Sequence, residues 1–538
     1  MAIIESHIDN NSPEYQANAL SMKEAVDEFR AIERRVIEAA EEKAPRYKKR
    51  GLLTPRERLS LLLDPGEPFL ELSTLCGYMQ DGDKDGSAAG GSCITGIGYV
   101  EGTRVMVVAD DYMTKGGTIG KLGGAKRSRM MELAMENKLP VVTLAQSGGG
   151  DLKGLGDWFG YTASGFARQA RLSAAGIPQI TVVHGSATAG GAYQPGLSDY
   201  VIMIRKQSTV YLAGPPLLKA ATGEIALDEE IGGAEMHSEI AGTADYLAEN
   251  DGDGLRIARE ITAKIGWNKN NSFDTGTNEY AEPLYSKEDL LGIVPIDPKK
   301  PYDVREIIAR IADGSDYLDF KASYDMGTVC GHMEIKGHPC GVIGNNGPIT
   351  ARGAAKAAQF IQLCEQAGTP LLFLHNTTGF IVGTEAEQSG IIKHGAKLIQ
   401  AVTNATVAKI SVVVGGSFGA GNYAMCGRGI PPRFMFAWPK SVVSVMGPEQ
   451  AGSVMRQVGE AKMARVGEVN HTMLDAMEKD IVDTMEAKSR ALMNTARLWD
   501  DAMIDPRDSR DIIAFALDVC RESDARSLNS NSYGVARF

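Results

Sequence analysis

Apolar stretches recur in pairs along the chain. Pro140-Val141-Val142-Thr143-Leu144 returns as Pro370-Leu371-Leu372-Phe373-Leu374, 230 residues on (140 to 370). The run Val182-Val183-His184-Gly185-Ser186-Ala187-Thr188-Ala189-Gly190-Gly191-Ala192-Tyr193 returns at the same spacing (182 to 412) as Val412-Val413-Val414-Gly415-Gly416-Ser417-Phe418-Gly419-Ala420-Gly421-Asn422-Tyr423. Upstream, Val100-Glu101-Gly102 answers to Ile335-Lys336-Gly337. Downstream, Ala213-Gly214-Pro215 answers to Met446-Gly447-Pro448. Four pairs in one order mark an internal duplication. The chain therefore divides into two homologous domains, 1–270 and 271–538.

Each copy carries the same succession of elements. A two-strand unit turning at Gly102 or Gly337 is followed by a helix (128–137, 354–367) with one apolar face. Next come a buried strand (141–144, 371–374), a polar turn, a second helix and another buried strand (180–183, 410–414) that runs into a Gly-rich turn. Strand and helix alternation of this kind predicts an α/β fold of stacked ββα units. Met22, Ala25, Val26, Phe29, Ile32 and Val36 form a helical stripe. Thr54-Pro55-Arg56-Glu57 reads as a capping box with Pro at the first helical position, and Asp64-Pro65-Gly66 as its stop. The polar stretch 266–290 reads as the interdomain linker, and 449–502 as a charged helical arm.

Composition narrows the class. The chain has 538 residues, 43% of them hydrophobic, 23% charged and 7% aromatic, with 61 glycines. That suits a globular α/β protein of more than one domain with many tight turns. A net charge of −12 argues against a nucleic-acid surface. No 18-residue apolar run is present, so no membrane span is expected. Seven scattered cysteines fit reduced thiols better than a disulfide framework, and the polar N-terminus has no targeting character, so a cytoplasmic location is expected.

The chemistry centres on the duplicated turns. Gly190-Gly191 and Gly419-Ala420 lie where a strand gives way to a helix. Backbone N–H groups at a helix start have no intrahelical acceptor and sit at the positive end of the helix dipole. Tiny side chains let a ligand oxygen come close, so each turn can steady an oxyanion. The alternative is glycine kept only for tight strand–helix packing. The basic stretch Lys115, Lys121, Lys126, Arg127 and Arg129 around Gly116-Gly117-Thr118 suits either a polyphosphate or a solvated turn.

Two other patterns point elsewhere. Gly415-Gly416-Ser417-Phe418-Gly419 matches a nucleophile elbow, with His375 and His394 in the same half, which keeps a serine hydrolase as a remote alternative. The first copy breaks that pattern. Cys330, His332, His338 and Cys340 flank Gly337 with zinc-like spacing, but their first-copy counterparts Thr95, Ile97, Thr103 and Val105 bind no metal, so none is expected.

Several stretches together resemble the carboxyltransferase (β) subunits of biotin-dependent acyl-CoA carboxylases. They are Arg56-Glu57-Arg58 to Gly66; Ala189-Gly190-Gly191-Ala192-Tyr193; Leu212-Ala213-Gly214-Pro215-Pro216-Leu217; Lys219 to Glu224; Gly232-Gly233-Ala234; Asn345-Asn346-Gly347; Thr378-Gly379-Phe380; Gly390 to Lys397; Gly415 to Tyr423; and Ile504 to Arg510. The forms at 212–217 and 418–423 are most similar to the methylcrotonyl-CoA and geranyl-CoA branch.

The resemblance implies two tandem crotonase-like domains of ββα superhelix. It implies a C–C bond-forming ligase component that moves a carboxyl group from carboxybiotin to a branched enoyl-CoA. By family pattern Gly190 and Gly191 hold the enolate or dienolate oxygen of the acyl-CoA, with Lys115, Gly116, Gly117, Ser147, Gly148, Gly149, Ala163, Ala189, Ala192 and Tyr193 around the substrate. Gly419 and Ala420 hold the ureido oxygen of biotin, with Thr378, Gly379, Phe380, Phe418, Gly421 and Asn422 around it. The ureido nitrogen takes the substrate proton, so no protein base is implied. The chain has no Ala-Met-Lys-Met biotinylation site, so biotin rides on a partner (α) subunit with the biotin carboxylase and carrier regions. The resemblance further implies a homohexamer, a trimer of dimers, inside a larger complex. A biotin-dependent acyl-CoA decarboxylase subunit and a propionyl-CoA or other acyl-CoA carboxyltransferase are the alternatives. The atypical loops 119–129 and 146–164, with small Ala163 and Gly165, suit either an acyl chain longer than five carbons or a mere repacking of the loop.

Overall fold

The computed structural model describes residues 3–151, 155–268, 279–297, 300–465, 467 and 469–536, with only the backbone of 155–163. The chain forms two compact units. One is Ala31–Asp274 with Ala496–Leu498 and Arg521–Phe538; the other is Met1–Arg30, Thr275–Thr495 and Trp499–Cys520. The expected linker lies in part on 269–278, outside the described residues.

The first unit is built on an eight-stranded sheet. Its strands are β1 (Leu70–Leu72), β2 (Cys93–Val100), β3 (Thr103–Asp110), β4 (Val141–Ser147), β5 (Gln179–Thr188), β6 (Tyr200–Ile204), β7 (Thr209–Tyr211) and β8 (Tyr246–Ala248). The order is β1-β2-β3-β4-β5-β6-β8, with β7 beside β5. β1, β2 and β3 are antiparallel; β3 onward is parallel. β3 and β4 are buried at every position, as expected of central strands covered on both faces. Helices Lys121–Glu136 and Leu155–Ala174 make the crossovers, and Pro55–Leu62 and Asp251–Ile265 pack on the core of Val107, Val142, Val182 and Ile202. The capping box forms: Glu57 N–H donates to Thr54 Oγ1, and Thr54 N–H to the Glu57 carboxylate.

The second unit repeats this plan strand for strand. It contains β9 (Leu318–Asp319), β10 (Thr328–Ile335), β11 (His338–Asn345), β12 (Leu371–Thr377), β13 (Lys409–Phe418), β14 (Phe434–Ala437), β15 (Val442–Ser444) and β16 (Ala502–Met503). Its order is β16-β14-β13-β12-β11-β10-β9, with β15 beside β13. Both units are thus the expected crotonase-like ββα fold.

The helix expected at 128–137 begins earlier, at Lys121. Gly123 lies inside this helix, where a Cβ would sit 2.6 Å from the Gly91 carbonyl oxygen. Close packing, not chain flexibility, selects glycine there. The same helix engages three residues of the basic stretch. Buried Lys126 donates to the Gly90 and Cys93 carbonyls, Arg127 pairs with Asp110 at 2.6 Å, and Arg129 faces Glu132 and Glu136. Among the described residues no helix is long and apolar enough to cross a membrane.

Candidate active site

In both sheets the parallel ladder slips just before the turn. Ala145 pairs with Val183, but Ser147 pairs with Ala187; likewise His375 pairs with Val413, but Thr377 with Ser417. The extra length in β5 and β13 is a bulge, which bends a strand and re-aims the backbone beyond it. A side-chain amide plugs each bulge. Gln146 lies against Gly185, where a Cβ would be 2.7 Å from Nε2, and Asn376 lies in the same way against Gly415.

Immediately beyond each bulge the backbone turns through the left-handed region. Ala189 has φ +53°, and Gly419 has φ +54°. A residue with a Cβ pays about 1 kcal/mol or more to sit there. The first turn continues as a 3-10 helix, Ala189–Ala192; the second as an α-helix, Gly419–Ala424. By this register Ala420 stands where Gly190 stands, and Gly421 where Gly191 stands.

Space around these residues separates packing from chemistry. A Cβ on Gly190 would meet only Phe166 Cζ at 4.0 Å, and one on Gly191 only Ser147 at 3.6 Å, both ordinary contacts. Neither glycine is demanded by the fold. Gly190 and Ala420 are exposed. By contrast, a Cβ on Gly421 would stand 2.7 Å from Gly379 Cα, so Gly421 is demanded by the fold.

Two loops meet on the first turn. Lys115–Gly117 forms a short 3-10 turn, and Lys115 Nζ donates to the Asp81 carbonyl at 2.7 Å. Ser147 Oγ donates to the Gly117 carbonyl at 3.1 Å and accepts from Gly149 N–H at 3.1 Å. Gly148 N–H also donates to the Gly117 carbonyl. Lys115, Gly116, Gly117, Ser147, Gly148 and Gly149 are therefore brought beside Ala189–Tyr193 at the carboxyl ends of the parallel strands, the usual place for a ligand in such sheets. Tyr193 is exposed and tilts against Phe166, centroids 5.3 Å apart, while Ala192 is buried. A Cβ on Gly165 would meet nothing within 4 Å. The Ala163 side chain lies outside the described residues.

The second turn has its own surround. Thr378 is exposed; Gly379 is buried, and its N–H donates to Thr377 Oγ1 at 3.1 Å. Phe380 packs on Gly395, and Phe418 on Gly416. Asn422 is buried, its amide turned inward to Ser417 at 2.8 Å. Ser417 and His375 are hydrogen-bonded at 2.9 Å, but both are fully buried and burial brings the imidazole down to about 3. A nucleophile must reach its substrate, and this serine does not. The Cys330–Cys340 hairpin has both thiols buried, with His332 against the Phe360 ring at 5.0 Å.

Beneath the first turn lies a charged network that sequence reasoning left out. Arg58 donates to Gln146 Oε1 at 2.7 Å and faces Asp251 at 3.4 Å. Asp251 also accepts from His184 at 2.6 Å, from Gln207 at 2.6 Å and from Leu53 N–H at 2.7 Å. Burial works to raise the Asp251 carboxyl, but the His184 bond, the Arg58 charge and the Leu53 N–H outweigh it and hold it at about 2. Burial, then the Arg58 charge, lowers His184 to about 4, so it is neutral at pH 7 and donates to Asp251.

Comparison with known proteins completes the picture. The carboxyl transferase domain family matches residues 46–531. The chain is 44% identical to the probable methylcrotonoyl-CoA carboxylase beta chain of Drosophila melanogaster, over 100% of this chain and 95% of that one. It is 44% identical to a probable biotin-dependent acyl-coenzyme A carboxylase beta2 subunit of Mycobacterium tuberculosis, over 100% of each. Among solved structures, the P. aeruginosa geranyl-CoA carboxylase beta subunit superposes with a TM-score of 0.93 at 58% identity, over 100% of each chain.

Proposed function

Because the chain belongs to the carboxyl transferase family, as a carboxyltransferase component of biotin-dependent acyl-CoA carboxylases, we propose that its acyl acceptor is a branched enoyl-CoA of geranyl size, held by the first unit, while the second unit receives biotin. Biotin, carried by the partner subunit, supplies the carboxyl group. The N–H groups at Gly190 and Gly191 hold the thioester oxygen as negative charge develops on it. Those at Gly419 and Ala420 hold the ureido oxygen. The loops at 115–117 and 147–149 shape the acyl-CoA side; Thr378, Gly379, Phe380 and Phe418 shape the biotin side.

One observation carries this reading. Gly190 and Gly191 are bare where neither packing nor backbone conformation asks for it, so the space serves a ligand. Beside it, the Phe166–Tyr193 pair offers an apolar wall, and the open flank of Gly165 leaves room for a chain longer than methylcrotonyl. The likeness to geranyl-CoA carboxylase supports the same size class.

The proposal includes a homohexamer bound to a biotin-bearing α subunit. Exposed Leu212, Leu217, Ile225 and Leu227 in one unit and Val445, Val454, Met455 and Val458 in the other support burial in an assembly. It also assigns the enzyme to the cytoplasm; seven buried cysteines, none in a disulfide among the described residues, accord with a reducing compartment. The test mixes the chain with its biotin-bearing partner, ATP and labelled bicarbonate across a panel of CoA esters. Label should enter geranyl-CoA at higher kcat/KM than methylcrotonyl-CoA or propionyl-CoA. Preference for a short straight-chain ester would sink the size assignment, and no labelled ester at all would sink the function.

A further inference from the structure

The second turn is held by three side chains whose first-copy counterparts are all alanine. At the 230-residue spacing (145 to 375, 187 to 417, 192 to 422), Ala145, Ala187 and Ala192 correspond to His375, Ser417 and Asn422. His375 stands on β12 at the edge of the bulge, Ser417 on β13 across it, and Asn422 in the helix that begins at Gly419. The Asn422 amide donates to Ser417 Oγ at 2.8 Å, and Ser417 Oγ meets His375 Nδ1 at 2.9 Å. An amide N–H₂ only donates, so the serine oxygen accepts on that side and its proton is free for the imidazole nitrogen. Three elements are thereby pinned where the register of the ladder slips.

We propose that Ser417, His375 and Asn422 are positioning residues for the Gly419–Ala420 turn, fixing the direction of its N–H groups toward the ureido oxygen. The inference rests on the reading that this turn receives biotin. The triad touches no ligand; it acts through the turn. Where the three alanines stand, the chain leaves the bulge as a 3-10 turn. Where the triad stands, it leaves as an α-helical one, with Asn422 bonding back five residues to the strand it has just left. The two buried hydrogen bonds tie the turn to both strands at once.

The experiment uses the complete chain with its biotin-bearing partner. The first copy shows that this fold accepts alanine at all three places, so the triple variant His375→Ala, Ser417→Ala, Asn422→Ala is expected to fold and assemble. Its kcat should fall about ten-fold or more while KM for the acyl-CoA stays within about two-fold. Asn422→Ala alone should cost about as much as the triple, because members of one network are not additive. His375→Gln, which keeps an acceptor for the Ser417 proton, should retain activity within about three-fold. Amide hydrogen exchange should quicken at 419–424 and stay unchanged at 189–196. Full kcat in the triple variant, or single losses that multiply in it, or unchanged exchange at 419–424, would overturn the proposal while an active wild type leaves the function standing. An inactive wild type would instead overturn the function.

Discussion

In the first unit the chain leaving the bulge is tied through Gln146 to Arg58, Asp251 and His184. In the second it is tied by Ser417, His375 and Asn422, and the plug Asn376 donates to the Asn345 carbonyl, at 3.3 Å. Strand order, the ladder slip and the left-handed residue are the same in both. The chemistry that holds them is not. Duplication has kept the backbone path, which places the turn, and let the side chains beneath it diverge. A charged network is the more exacting solution, because each buried ion depends on its partner. A neutral triad asks less of its surroundings.

The largest expected effect breaks the charged side. Arg58→Met leaves Asp251 buried without its cation and should cost about 3–5 kcal/mol, read as a lower urea midpoint. Asn376→Ala, in the plug of the neutral copy, should cost only about 1 kcal/mol. Equal losses would mean that the charged tie holds its bulge no more firmly than the neutral one. Next in size, Gly191→Val should lower kcat by about 10²–10³, equivalent to about 2.7–4 kcal/mol, with an unchanged circular dichroism melt. Gly421→Ala should instead lower the melting temperature, since its Cβ would press on Gly379. A variant at Gly191 that unfolds before it loses turnover would return that glycine to packing.

Smaller still is the left-handed pair. Ala189→Gly should stabilise, and Gly419→Ala destabilise, each by about 1 kcal/mol in denaturant titration. The second should be the larger, because the new Cβ would lie 3.0 Å from the Val445 carbonyl oxygen. Last is pH. Both imidazoles are lowered from 6.5, to about 4 in His184 and about 3 in His375. Between those values and 6.5 the unfolded chain binds more protons, so stability falls as pH drops from 6.5 toward 4. His184→Gln and His375→Gln should each flatten that slope, checked by urea midpoints at pH 4.5 and 7 (roughly the ends of the window). A slope untouched by either change would place the acid sensitivity elsewhere.

Much of this was legible from spacing alone. The repeat at 140 and 370, and at 182 and 412, yielded the order of strands and the two turns, because buried strands of a parallel sheet are written as local apolar runs. The start of the helix Lys121–Glu136 was not legible, since the Gly91 carbonyl that requires Gly123 lies thirty-odd residues away in sequence (91 to 123). Arg58 and Asp251 are nearly two hundred residues apart (58 to 251), and no local pattern announces their meeting. The Ser417 triad was half legible. Aligning the copies exposes three alanines against Ser, His and Asn, whereas reading Ser417 inside its own motif suggested a nucleophile that burial denies.

The single methylene that distinguishes Gln146 from Asn376 has a consequence for how this molecule can change. Gln146 is long enough to meet a guanidinium; Asn376 reaches the main chain of β11. A crossover that exchanged these segments between halves would strand Arg58 opposite an amide too short to meet it and crowd the other bulge. Ancestral twins of this kind have passed the point at which one can be rewritten from the other.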